Sequence, residues 1–229
     1  MHEGPLTHGD DLLALLEGVP ASAAAVAVMR HSVRGPVTDL RTSPDVLLTA
    51  EGEAAARRLG QRLAPSRPVR LGHSPIERCA QTARGVAQGF GLAGGAIEWT
   101  GAIEALGAPY VLDFERLVEA SEAHDTRSFV RAWFDGALAP GIIVEGRQAA
   151  RGQLAVALEH LESSPAGGLT LLVSHDWNVM LLREHYLGVR HDDAGWLDYL
   201  DGVLLVGDPE GPELRWRTLA RRVDGRPCP

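Results

Sequence analysis

Residues 23–29, AAAVAVM, form an unbroken apolar run with none of the polar alternation that marks a half-exposed strand. Such a run needs cover on both faces, so it predicts a strand inside a mainly parallel sheet sandwiched by helices. The rest of the chain fits that frame. Gly52, Ala55, Ala56, Leu59 and Leu63 recur at helical spacing, and Val69–Gly72 reads as a second strand after Pro65 and Pro68. A second helical stripe runs through Ile76, Cys79, Ala80, Ala83, Ala87 and Phe90 to a stop at Gly91, with a third strand at Ala96–Trp99.

Residues 100–145 are less regular, with helical patches at Val111–Ala123 and Thr126–Ala137, and are expected to form an inserted helical cap. Helical periodicity returns over Gly146–Ser163, a strand follows at Leu169–Val173, and a helix at Trp177–Leu187. Two late strands, Val203–Val206 and Leu214–Leu219, flank the turn DPEGPE. The expected fold is α/β: a three-layer α/β/α sandwich around a mainly parallel, mixed sheet, organised as one domain over 1–229 with the cap inserted at about 100–145.

Charge narrows the partners. The 22 basic residues are all arginine, and against 30 acidic residues they leave a formal net charge of −8. Proteins that coat nucleic acid or anionic membranes depend on basic surfaces, so neither partner is expected. No apolar run reaches the ~18 residues of a membrane span. The first twenty residues open with acidic rather than basic side chains and lack a cleavage signature, which reads as a mature cytoplasmic N-terminus. Cys79 and Cys228 are too few for a disulfide framework or a cysteine zinc site and are read as reduced thiols. Sequence spacing suggests no oligomeric state.

In an open α/β sheet, ligands bind beyond the carboxyl ends of the strands. The first strand is followed there by Arg30-His31-Ser32-Val33-Arg34-Gly35-Pro36, the second by His73-Ser74-Pro75-Ile76-Glu77-Arg78, and the strand at 169–173 by Ser174-His175-Asp176-Trp177-Asn178. If these strands are parallel neighbours, Arg30, Arg34, Arg78, His31, His175 and Asp176 converge on one edge. Guanidinium forks match phosphate oxygens two at a time, and a helix N-terminus adds free N–H groups for the same anion. Nearby arginines disfavour imidazolium, so His31 is expected to stay neutral and nucleophilic. His175 suits stabilisation of charge on a transferring phosphoryl group, and Asp176 is placed to protonate a leaving oxygen.

These segments resemble the histidine phosphatase superfamily, also called phosphoglycerate mutase-like. VAVMRHSVRGP is similar to its strand and Arg-His loop, LLTAEGEAAARRLGQRL to its Leu-Thr-x-x-Gly helix, SPIERCAQTA to its Ser-x-x-x-Arg-x-x-Gln-Thr-Ala segment, and LLVSHDWNVMLL to its second-histidine strand. Arg34, Pro36 and the His-Asp-x-Asn at 175–178 resemble the acid phosphatase branch, where the Asp after the second His donates the proton. The short chain and the Gln-Thr-Ala helix resemble the mutase branch, whose donor is a cap Glu, a role open here to Glu104. Asp176 is the preferred donor.

The resemblance implies a phosphomonoester hydrolase without metal or other cofactor, acting on a small phosphorylated metabolite through a phosphohistidine on His31. Arg30, Arg34, Arg78 and His175 would bind the phosphoryl group, with Ser74, Asn178 and Glu104 as further substrate-side candidates. A phosphoglycerate mutase is disfavoured because ALGAPYVLD after Glu104 does not match that enzyme's Glu-Arg-His-Tyr-Gly segment. An inactive phospholigand-binding module is favoured only by Ser32, which stands where the family normally has Gly and would crowd the phosphate loop.

Outside these motifs, His73 is expected to pack its loop, and Ser74 to cap the following helix as well as line the site. His124, His160, His185 and His191 lack metal-ligand spacing. The tryptophans are expected in core or rim packing, with Trp177 at the pocket mouth. Arg215, Arg217, Arg221, Arg222 and Arg226 read as a solvated C-terminal tail.

Overall fold

A computed structural model describes residues 8–224, so Arg226 and Cys228 lie outside the described residues. Seven strands form one sheet in the order β3-β2-β4-β1-β5-β6-β7. They are β1 (Ala25–Arg30), β2 (Val69–His73), β3 (Ile97–Ala102), β4 (Leu169–Ser174), β5 (Gly202–Val206), β6 (Glu213–Trp216) and β7 (Leu219–Arg222). The pairs β1–β4, β2–β4 and β2–β3 are parallel, while β5, β6 and β7 run antiparallel along the other edge. This is the expected sandwich around a mixed sheet.

Side chains of the central strands divide between two cores, as the two-residue strand period requires. Ala25, Ala27 and Met29 of β1, with Leu169, Leu171 and Val173 of β4, pack beneath α1 (Asp10–Glu17), α2 (Ala50–Arg62) and α3 (Glu77–Leu92). Val26, Val28 and Leu172 face the opposite core, which holds α6 (Gly146–Glu162), α7 (Asp176–Leu187) and the aromatic residues Phe129, Trp133 and Phe134. The expected cap segment carries α4 (Phe114–Glu122) and α5 (Thr126–Phe134), and a short helix α8 (His191–Ala194) precedes β5. Asp113 and Asp125 accept hydrogen bonds from first-turn N–H groups of α4 and α5, a start signal for both cap helices.

α2 and α3 meet almost backbone to backbone. A Cβ added at Gly60 would stand 2.0 Å from the Val86 carbonyl oxygen, and one at Gly89 would stand 1.9 Å from that of Arg57. Only glycine permits that approach, so no side-chain layer separates the two helices.

The late-strand expectation needs correction. The strand read as Leu214–Leu219 ends at Trp216, because Arg217 turns the chain at a φ of 49° and a further strand, β7, follows. The arginines read as a tail therefore sit largely on this hairpin: Arg215 pairs with Glu213, Arg217 with Asp11, and Arg222 with Asp208 and Glu210. Helix α1 is absent from the sequence expectation, although Leu12, Leu13 and Leu15 bury its inner face.

Candidate active site

The parallel order β2-β4-β1 brings three strand ends side by side, and backbone hydrogen bonds carry the pairing one residue past each of two of them. The His31 N–H donates to the Ser174 carbonyl and the Ser74 N–H to the Val173 carbonyl. His31, Ser74 and His175 are thereby held on one edge, where α3 and α7 begin. A cavity of about 500 Å³ opens there, with Arg30, His31, Arg34, Arg78, His175 and Asp176 on its floor. All six residues expected to converge do so.

His31 has a fixed tautomer. Its Nδ1 lies 2.8 Å from the Ser32 carbonyl oxygen, which can only accept, so the proton is on Nδ1. Nε2 keeps its lone pair and faces the Arg78 Nε–H at 3.1 Å. Burial, then the nearby His175 and Arg78, hold the His31 pKa well below the usual 6.5. The ring is neutral and unprotonated at the nitrogen that faces the cavity.

Arg78 also reaches His175, its Nη2 lying 3.3 Å from Nδ1, while Nη1 donates to the Ser43 carbonyl at 2.6 Å. A guanidinium only donates, so Nδ1 of His175 accepts and its Nε2–H points to Ser74 Oγ at 2.9 Å. Burial and the arginines lower His175 to a pKa of about 4. Arg30 pairs with Asp176 at 3.1 Å, donates to the Leu197 carbonyl, and lies over the Tyr199 ring at 4.0 Å. Burial alone would raise the Asp176 carboxyl, but Arg30 and the Trp196 indole N–H at 2.9 Å outweigh it and hold the pKa at about 2.

Other expected residues fall elsewhere. Ser74 is fully buried behind His175 and does not line the cavity; the N-cap of α3 is Ile76, whose N–H reaches Ser74 Oγ at 3.3 Å. Ser74 is thus a support for His175 rather than a substrate contact. Asn178, also fully buried, donates from Nδ2 to the Leu106 and Gly107 carbonyls and to Ser174 Oγ, so it anchors the start of the cap instead of facing the cavity. Glu104 is exposed and outside the cavity lining. Ser32 turns away from the loop it is expected to crowd: its Oγ donates to the Gly52 carbonyl at 2.7 Å, and its N–H to Thr82 Oγ1. The feature that favours an inactive module therefore leaves the cavity untouched. His73 packs its loop as expected, with Nδ1 donating to the Ser74 carbonyl. Burial pushes the Cys79 thiol up to about 12, an unreactive value.

Trp177 lines the cavity as expected. Sequence reasoning misses Trp196 and Tyr199, because the segment 195–201 has neither periodicity nor motif; only the folded chain brings it against Arg30 and Asp176. Among the described residues no group of three or more His, Cys, Asp or Glu could hold a metal ion, and no helix is long and apolar enough to cross a membrane.

Residues 26–217 match the sequence model of the histidine phosphatase superfamily, branch 1. Among solved structures, YhfR of Bacillus stearothermophilus is similar at a TM-score of 0.60 and 15% identity, covering 89% of this chain and 99% of that one. The mycobacterial glucosyl-3-phosphoglycerate phosphatase gives 0.54 and 18%, covering 86% and 100%. Phosphoglycerate mutase from Bacillus anthracis gives 0.54 and 12%, covering 85% and 92%. At these identities the likeness speaks for the fold. No curated protein sequence matches the chain.

Proposed function

The chain belongs to branch 1 of the histidine phosphatase superfamily, and from that premise we propose that it is a metal-independent phosphomonoester hydrolase acting through a phosphohistidine on His31. One observation carries the reading: a neutral histidine on a cavity floor with three guanidiniums, its unprotonated Nε2 held by a single hydrogen bond from the Arg78 Nε–H. Arg30, Arg34 and Arg78 hold the phosphoryl oxygens, each charge-assisted hydrogen bond contributing about 1.5 to 3 kcal/mol.

The lone pair of His31 Nε2 attacks phosphorus while the bond to the leaving oxygen breaks, and that oxygen takes a proton from Asp176. Water then attacks the phosphohistidine and gives a proton to Asp176 as the N–P bond breaks, and inorganic phosphate leaves carrying that proton, so Asp176 returns to the carboxylate. Phosphoryl oxygens draw the Arg78 guanidinium away from both histidines, which releases the His31 Nε2 lone pair for attack and frees His175 Nδ1 to carry a proton and donate it toward the developing charge. The Ser74 hydroxyl can accept from Nε2 or donate to it, so it supports His175 in either tautomer.

Asp176 is preferred as donor over Glu104 because it lines the cavity. Its pKa of about 2 makes it a carboxylate in the free enzyme, so the catalytic proton enters on the substrate as the phosphate monoanion. The family's phosphatases and mutase leave several substrates open, and a small phosphomonoester is the reading for this cavity. The test is His31→Ala with p-nitrophenyl phosphate in the presence of EDTA. Turnover and any acid-labile phosphoenzyme are expected to vanish, and full activity in this variant would end the mechanism.

A further inference from the structure

The cavity changes character above its floor. Val37, Leu40, Val111, Phe114, Leu117 and Trp177 line the space that a leaving group would occupy, and every charged residue of the lining, Arg30, Arg34, Arg78 and Asp176, belongs to the floor. Phe114 stands at the first turn of α4 with 43% of its surface exposed, a large apolar ring left open to solvent beside the cavity. Arg41, next to Leu40 of the lining, is already paired with Glu115 and Glu122 of α4. A second anionic group on the leaving side would face this apolar wall, with Arg41 already engaged by glutamates outside it.

We propose that this site selects phosphate monoesters whose leaving alcohol is apolar, aromatic or branched aliphatic, and carries no second charge, with Phe114 as a specificity-determining contact. The proposal rests on the phosphohydrolase reading above. The alcohol would bury its carbon surface against the cap while the phosphoryl group stays on the arginines. Burial of apolar surface against such a wall discriminates by about tenfold or more for each two methylene groups removed from water.

The experiment compares kcat/KM of the whole protein for 2-phenylethyl phosphate, glycerol 3-phosphate and 3-phosphoglycerate, all of which release an alkoxide. The expected order is phenylethyl first by about 10- to 100-fold, with 3-phosphoglycerate last. In Phe114→Ala, an exposed position whose loss leaves the core intact, the phenylethyl advantage is expected to fall about tenfold while glycerol 3-phosphate changes little. If all three esters are hydrolysed and the phenylethyl ester has no advantage, the apolar selection is overturned and the hydrolase stands. If the advantage survives in Phe114→Ala, the role of Phe114 is overturned. Absence of both turnover and phosphohistidine with p-nitrophenyl phosphate would remove the hydrolase reading itself, and this proposal with it.

Discussion

The floor and the wall of one cavity are built on opposite principles. The floor comes from the ends of parallel strands and from the loop and helix starts that follow them, where polar partners hold the side chains; Arg78 alone contacts both histidines and the Ser43 carbonyl. The wall comes mainly from residues 37–40 and the cap segment, where Val37, Val111 and Phe114 touch the cavity through apolar surface and no directional bond. Directional groups are costly to misplace, whereas apolar contacts are graded by area. Chemistry is therefore expected to fail abruptly when the floor is altered and specificity to drift when the wall is altered.

The sharpest way to break this contrast is Arg78→Ala. Two or three charge-assisted bonds disappear at once, so kcat/KM is expected to fall about 10²- to 10⁴-fold, with phosphate inhibition weakened in parallel. Arg78→Lys is expected to recover little, since an ammonium cannot fork between both histidines. A loss under tenfold in Arg78→Ala would place the floor in the same graded class as the wall.

Asp176→Asn is expected to slow an alkyl phosphate about 10²- to 10⁴-fold and p-nitrophenyl phosphate far less, because a good leaving group needs no proton. The same donor sets the pH profile. Asp176 is ionised above about 2, so the required proton is present while the ester is a monoanion and is lost as pH rises through its second pKa near 6. A log kcat/KM profile is expected to be flat at mildly acidic pH and to fall about tenfold per unit above that value. A profile that rises through neutrality would assign the proton to another group.

Ser74→Ala tests whether positioning behind the floor matters as much as contact. We expect about a tenfold fall in kcat with KM nearly unchanged, and in nitrogen NMR of His175 a loss of the single tautomer of the free protein. An unchanged His175 spectrum would reduce Ser74 to packing. The smallest effect belongs to Glu104→Gln, expected within about twofold on every substrate because the side chain is exposed outside the cavity. A large loss there, with Asp176→Asn active, would reverse the donor assignment.

The same division explains what can be read from the amino-acid sequence. Floor residues follow apolar runs at fixed offsets, so the sequence alone picks out Arg30, His31, Arg78, His175 and Asp176. Ser74 and Asn178 share those motifs and look like cavity residues for that reason, but a motif fixes chain position and not the direction a side chain takes; both point inward to carbonyls or rings. Ser32 misleads for the same reason. Trp196 and Tyr199 have no such signal, since a loop's approach to a sheet edge depends on distant packing. The β6–β7 hairpin is hidden because its turn uses Arg217 at positive φ, where glycine or asparagine would announce it.

The glycine contacts between α2 and α3 bear on the lifetime of the floor. With backbone set against backbone at Gly60 and Gly89, neither helix can loosen without opening the other, so amide hydrogens along both should exchange at one common rate. Arg78 rides on the first turn of α3, and the loop after His31 is tied by Ser32 to the first turn of α2. Opening of this two-helix unit would therefore carry the Arg78 backbone and the anchor of the loop after His31 away from the sheet edge together, so the floor is lost or kept as one piece.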